Sequence, residues 1–280
     1  GSEYSTVWEI GKDGKMHAYA VDENGQKTEA VWAPLPGSQE AFLESPVFET
    51  LFSGARGNGK TEALIFAFAR YVEMGWGLDY KGVIFRRTYP ELEDIIRKSL
   101  KVIPRIWPGA KYNKAKSTWQ WPGGASLSFR HFLNVSDYDS YHGMEFAFIG
   151  WEELCRWPDD EGYKKMMSCA RCSNPNVEVR VRSTTNSYGM GRNWVRDRWR
   201  LPVLDNSIVG QVISDARDDE GNIEPARVSI HGRLEENIVL MHADPSYRQR
   251  ISASANGPAQ RRAWLYEDWL ITSGGMFDDL

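Results

Sequence analysis

The sequence predicts an α/β protein, a mainly parallel β-sheet between layers of helix with a small antiparallel β-meander in front of it. Three observations carry this expectation. From residue 48 onward, short apolar runs of strand length alternate with amphipathic runs of helix length. A glycine-rich turn, Gly54-Ala55-Arg56-Gly57-Asn58-Gly59-Lys60-Thr61, joins the first apolar run to the helix that follows it. Before residue 34, Asp-Gly and Asn-Gly pairs separate alternating segments, which marks hairpins.

The meander is expected from Val7-Trp8-Glu9-Ile10, Met16 to Val21 and Thr28 to Trp32, broken at Asp13-Gly14 and Asn24-Gly25. Pro34-Leu35-Pro36-Gly37 reads as a linker. A strand is expected over Phe48–Ser53, then a helix over Thr61–Met74 stopped by Gly75. Lys81–Phe85 reads as a strand and Pro90–Val102 as a helix, with Leu92, Ile95, Ile96 and Leu100 at helical spacing. Ser126–Leu133, Glu145–Trp151 and Val177–Ser183 read as strands, with a short helix near Gly162–Ser168. Asn206–Pro225 is polar and loop-like, Arg227–Leu234 a further strand, and Pro245–Trp269 mostly helical. The expected division is an expression scar at Gly1-Ser2, the meander over 3–33, the α/β core over 34–225 and a C-terminal subdomain over 226–280.

At 280 residues, 41% hydrophobic and 26% charged, the chain can bury a sizeable core, which argues against global disorder. It has no run of 18 apolar residues and no signal peptide, so no membrane span is expected. A net charge of −4 argues against a bulk polyanion-binding surface and makes any nucleic-acid contact local. Cys169 and Cys172 form a C-x-x-C, but no second pair or nearby His completes a four-ligand zinc site; with Cys155 they are expected as free thiols. The twelve tryptophans are assigned to packing and none to a ligand.

The glycine-rich turn is a complete G-x-x-x-x-G-K-T phosphate loop in its strand–loop–helix context. Glycines let backbone N–H groups wrap an anion, and the helix start adds its positive dipole end. Gly54, Ala55, Arg56, Gly57, Asn58, Gly59, Lys60 and Thr61 are therefore expected to hold a nucleoside triphosphate. Lys60 would reach the β- and γ-phosphates and Thr61 would hold Mg²⁺. Arg56 either contacts the γ-phosphate or pairs with a nearby acid.

The apolar run Phe146–Trp151 ends in Glu152-Glu153. Glu152 suits Mg²⁺ or its water, and Glu153 suits polarising the attacking water, help worth about 10²–10⁴ in rate. The other reading is two acids in the first turn of a helix. Gln39 offers one donor and one acceptor to an adenine edge, or is a surface residue. Thr184, Thr185 and Asn186 end a strand where a parallel sheet faces its ligand and so suit sensing of the γ-phosphate, or they merely cap the strand. Arg192, Arg196, Arg198 and Arg200, interleaved with Trp194 and Trp199, suit a phosphate backbone or a solvated helix with cation–π packing.

From about Pro34 onward the chain resembles the large terminase subunit of tailed bacteriophages. Gln39 followed by the phosphate loop is similar to the family's adenine motif and Walker A. Phe85-Arg86-Arg87-Thr88-Tyr89-Pro90-Glu91-Leu92 is similar to a segment typical of these proteins. Tyr141-His142-Gly143 ahead of Gly150-Trp151-Glu152-Glu153-Leu154 resembles the Walker B region. Thr184-Thr185-Asn186-Ser187, with Gly191 and Trp194-Val195, resembles the coupling motif. Asp244-Pro245-Ser246-Tyr247, Asp268-Trp269 and Gly274-Gly275-Met276-Phe277 resemble the junction before the nuclease domain. Two positions depart from the pattern: Glu152 stands where Walker B usually has Asp, and Ser187 where the coupling motif usually has Pro.

The resemblance implies a P-loop NTPase of the additional-strand, catalytic-glutamate type. It implies an ATP-driven motor that translocates double-stranded DNA into a procapsid, with ATP as substrate, Mg²⁺ as cofactor, and Glu153, Lys60 and Arg56 in catalysis. Implied partners are DNA, the portal protein, the small terminase subunit and further copies in a homo-oligomeric ring. The implied location is the cytoplasm of the infected bacterial host, with no membrane contact. Such rings complete each site with a neighbour's arginine, worth about 10³–10⁵ in rate; Arg130, Arg171 and Arg192 are the candidates. The chain stops where the family's RNase H-like nuclease begins, so DNA cleavage is not expected. The alternatives are a small-molecule kinase, which would want a lid and an acceptor pocket, and an assembly protein in which ATP locks an interface.

Overall fold

The computed structural model describes residues 5–203 and 207–270. The expression scar expected at Gly1-Ser2 and the Gly274-Gly275-Met276-Phe277 segment lie outside the described residues.

The N-terminal meander forms a separate antiparallel sheet of β1 (Ser5–Ile10), β2 (Met16–Val21) and β3 (Lys27–Glu29). Trp32 fixes it to the rest of the protein. Its ring stacks on Phe66 with centroids 3.7 Å apart, and its Nε1 donates to Glu62 Oε2 at 3.2 Å. The linker then enters α1 (Ser38–Glu44), a short helix that the sequence does not announce and that buries Phe42 and Leu43.

The central sheet uses β4 (Glu49–Gly54), followed by α2 (Lys60–Ala69), β5 (Lys81–Arg86) and α3 (Leu92–Ile106). It continues with β6 (Lys111–Asn113), β7 (Thr118–Gln120), β8 (Ser126–His131), β9 (Phe148–Trp151), α4 (Glu161–Met166), β10 (Arg180–Thr185), α5 (Arg192–Arg198) and β11 (Arg227–Gly232). Among the described residues the order is β11-β4-β10-β9-β5-β8-β7-β6. The pairs from β11 through β8 are parallel, and the β6–β7 hairpin adds antiparallel strands at one edge. β10 therefore stands between the phosphate-loop strand β4 and the acid-bearing strand β9, the additional strand of the expected fold class.

Period-two alternation sorts side chains onto two faces. Leu51, Val83 and Phe85 enter one core with Trp151, Trp157, Tyr163 and Trp199. Phe52 and Ile84 enter the other with Phe68, Tyr80 and Ile95 under α2 and α3. Both faces being covered explains why these strands read as continuous apolar runs.

Several expected boundaries are corrected. α2 stops at Ala69, and single turns carry the chain on to Gly75. α3 runs past Val102 and holds Pro104 in its last turn, because Ile103 is fully buried and keeps that turn on the core. β9 begins at Phe148 rather than Glu145; Phe146 makes only an isolated bridge to Ala170. β10 begins three residues later than expected and ends two later, after a turn closed by Val177 N–H on Asn174 O, so Thr184 and Thr185 belong to the strand itself. The domain boundary at 225 is also corrected. β11 pairs with β4 along its whole length, so the core sheet continues through Gly232. Beyond it, α6 (Ile238–Ala243), α7 (Tyr247–Ser254) and α8 (Gly257–Tyr266) form the C-terminal helices.

Candidate active site

The carboxyl ends of β4, β10, β9 and β5 open into one cleft of about 1240 Å³. The loop after β4 is shaped by close backbone approach. A Cβ on Gly54 would sit 2.4 Å from Gly232 O, and Gly59 holds φ +80°, a conformation that side chains disfavour. Lys60 Nζ turns back into the loop and donates to Ala55 O at 2.8 Å, Asn58 Oδ1 at 2.9 Å and Gly54 O at 3.2 Å. Burial pushes its ammonium down to about 8, against the pull of Glu267, Glu153 and Glu152.

Thr61 Oγ1 donates to Glu152 Oε1 at 2.5 Å. Glu152 is 2% exposed, and burial raises its carboxyl above the ordinary range, although Arg86 Nη1 stands 3.0 Å from its other oxygen. The same guanidinium reaches Glu153 Oε2 at 3.4 Å. The side chain of Glu153 is 44% exposed, so the two adjacent acids differ sharply: one is sealed against Thr61 and the other faces the cleft. Glu153 adopts the left-handed region (φ 55°, ψ 58°) before a single 3₁₀ turn, Leu154–Arg156. The alternative of two acids in a helix's first turn therefore does not hold.

A hydroxyl and a carboxylate at one point are hard-oxygen donors that suit Mg²⁺. Among the described residues there is no group of three or more His, Cys, Asp or Glu placed to hold a metal. Thr61 and Glu152 would thus hold the ion together with phosphate oxygens and water.

β10 ends against this pair. Thr184 Oγ1 accepts from Glu153 N–H at 3.4 Å, and Thr185 Oγ1 accepts from Cys155 N–H at 3.2 Å while donating to Asn186 O at 2.8 Å. The three sequence-predicted coupling residues thus lie beside the acid turn. Ser187 is fully buried just behind them.

Gln39 is buried, which removes the surface reading. Its Oε1 accepts from Leu35 N–H at 2.6 Å and its Nε2 donates to Gly59 O at 2.9 Å. Arg56 pairs with no acid among the described residues; its guanidinium lies over the Trp264 ring at 4.5 Å, and its N–H bonds Trp264 O at 2.8 Å. Asn237 Nδ2 adds a bond to Gly57 O at 2.6 Å. The C-terminal helices are therefore tied directly to the phosphate loop.

Sequence reasoning missed Arg86, Asn237 and Trp264 as site residues. Arg86 had a usable signal, since it ends a parallel strand on the ligand side. Arg130, Arg171 and Arg192 do not line the cleft. Arg130 donates to Lys116 O and Phe129 O, and Arg171 to Gly143 O. The basic cluster resolves in part: Arg198 makes a two-pronged pair with Glu49 and lies near the Tyr163 and Trp199 rings, so its place is packing. The three cysteines are free, with burial raising Cys155 to about 12. Among the described residues no helix is long and apolar enough to cross a membrane.

Comparison with solved structures gives the same architecture. The large terminase of a thermophilic bacteriophage matches with TM-score 0.58 at 14% identity, covering 85% of this chain and 54% of that one. A complex of that terminase with ATP-γ-S matches with TM-score 0.54 at 16% identity, over 84% of this chain and 53% of the other. The large terminase ATPase domain of Thermus phage P74-26 matches with TM-score 0.53 at 14% identity, over 83% and 93%. The chain thus spans about half the length of the first of these. No curated protein sequence matches it. The family model described as "Terminase large subunit, T4likevirus-type, N-terminal" matches residues 51–279, and the chain belongs to that family.

Proposed function

We propose that this chain is the ATP-hydrolysing motor region of a DNA-packaging terminase. The observation that carries the reading is the pairing of a phosphate loop with two unlike acids one strand away. Glu152 is sealed against Thr61, and Glu153 is open to the cleft. Gly54–Thr61 would cradle the triphosphate, with Lys60 leaving its loop carbonyls for the β- and γ-phosphates. Bound Mg²⁺, held by Thr61 and Glu152, would neutralise charge on those phosphates. Glu153 orients and deprotonates the attacking water, and Arg86 fixes where its carboxylate points. Thr184 and Thr185, bonded to the acid turn, and Asn186, bonded to Thr185, report the state of the phosphates to β10. Arg56 and Gln39 keep the nucleotide roles expected of them.

Double-stranded DNA, a portal protein, a small terminase subunit and a homo-oligomeric ring are the partners this reading supplies, in the cytoplasm of an infected host. Arg130, Arg171 and Arg192 remain the candidates for completing a neighbour's site, and their place outside their own cleft suits that role.

The test is ATP turnover per enzyme against enzyme concentration, with Glu153→Ala alongside. Turnover that climbs with concentration and vanishes in the variant supports sites completed between subunits. Flat turnover lost in the variant supports a self-sufficient ATPase. Turnover that persists in Glu153→Ala would overturn the assignment of the base.

A further inference from the structure

The cleft is larger than the roughly 300–1,000 Å³ of an ordinary small-molecule pocket. Besides the phosphate loop, its lining takes in Leu35 and Gln39 and, from the N-terminal meander, Trp8, Met16 and Ala18. In the meander, register pairs Trp8 with Ala18 and places Met16 two residues before it, so Trp8, Met16 and Ala18 share one face. That face is apolar and contributes to the cleft wall, while α6 supplies Val239 and Ala243 nearby. The wall is anchored at both ends. Trp32 locks the linker onto α2, and His242 Nε2 bonds Gly14 O at 2.7 Å from α6. Trp8 itself is half-buried, and among the described residues its indole has no ring contact and no side-chain hydrogen bond.

We propose that the meander is the base-side wall of the nucleotide cleft, with the Trp8 indole as the surface on which the nucleobase of the triphosphate rests. The inference rests on the nucleotide reading above and adds to it a base-binding residue from outside the α/β core. A nucleotide with its phosphates at Lys60 and Thr61 would, in this proposal, lay its base toward Gln39 and the meander, which line the same cleft. A flat π surface recognises any base by stacking, so it supplies affinity, while the polar groups around Gln39 supply choice between bases. The tryptophan that packing does not account for acquires a role.

The experiment is titration calorimetry of the whole chain with two ligands, ADP and base-free tripolyphosphate, both with Mg²⁺. Trp8→Ala should weaken ADP binding about tenfold, within the range of one lost base–aromatic stack. It should leave tripolyphosphate binding within about twofold, because the phosphate loop is untouched. Trp8→Phe should keep ADP affinity near that of the wild type and guards against loss of fold. Unchanged ADP binding in Trp8→Ala, or equal weakening of both ligands, overturns the proposal. Wild-type protein that binds neither ligand instead overturns the nucleotide reading on which it rests.

Discussion

Thr61 Oγ1 lies 2.5 Å from Glu152 Oε1, across 91 residues of sequence. The contact exists because β10 alone separates β4 from β9, so the start of α2 and the end of β9 meet at the same edge of the sheet.

Arg86→Ala should destabilise the protein by about 3–5 kcal/mol, the cost of stranding a buried charge. Glu152 is that charge, and burial already holds its carboxyl above the ordinary range. A raised carboxyl contributes stability that is present below its unfolded value and lost as pH rises through the folded one. Removing Arg86 raises it further, so the loss should be larger at pH 7 than at pH 5. Urea unfolding at both values measures this, and Glu152→Gln in the same background should restore much of the stability.

Lys60 gives a second, oppositely signed effect. Its folded value is about 8, below the ordinary lysine range, so its contribution to stability rises as pH climbs from 8 toward 10.5. A bound polyphosphate favours the ammonium. At pH 8 nucleotide binding should therefore take up as much as about half a proton. Calorimetry in buffers of different ionisation enthalpy detects the uptake, and Lys60→Met should abolish it.

Gln39 bridges the linker to the phosphate loop through Leu35 N–H and Gly59 O. Gln39→Ala leaves the buried Leu35 N–H without a partner, a loss of about 1–3 kcal/mol, while Gly59 O keeps its bond from Ala63 N–H. The thermal midpoint should fall, and discrimination between ATP and GTP should fall with it. A variant that changes neither would remove Gln39 from both roles.

Arg198 separates packing from DNA contact. It holds Glu49 with two bonds, at 2.6 and 3.0 Å, and Tyr163 OH donates to the same carboxylate at 2.8 Å. Arg198→Ala should cost about 3–5 kcal/mol in urea unfolding. The slope of DNA affinity against salt should stay unchanged, since a phosphate contact would lower it by about one.

The phosphate loop, the acid pair and the small polar strand end were legible because each is a local pattern with its own chemistry. Arg86 offered only its place at a strand end, because its partners depend on β5 and β9 being neighbours in the sheet, which no local spacing fixes. Asn237 and Trp264 reach the loop from helices far along the chain, and nothing around either residue marks a site. The strands β6 and β7 have three residues each, too few for alternation to show. The three-residue delay at the start of β10 followed from a turn that Val177 closes while its side chain is buried, a tertiary choice that overrode its strand propensity.

The loop lysine spends its three donors on three oxygens of its own loop. The anion site is thus already occupied by a rival built into the same stretch of chain. An incoming ligand exchanges bonds rather than adding them, and its net gain is the difference between phosphate and carbonyl as partners for an ammonium. A weak, singly charged anion offers little over what the loop already has. Under the proposed reading, self-occupation would make the site a threshold device, closed to a lone weak anion and yielding to a ligand that brings several phosphate oxygens together.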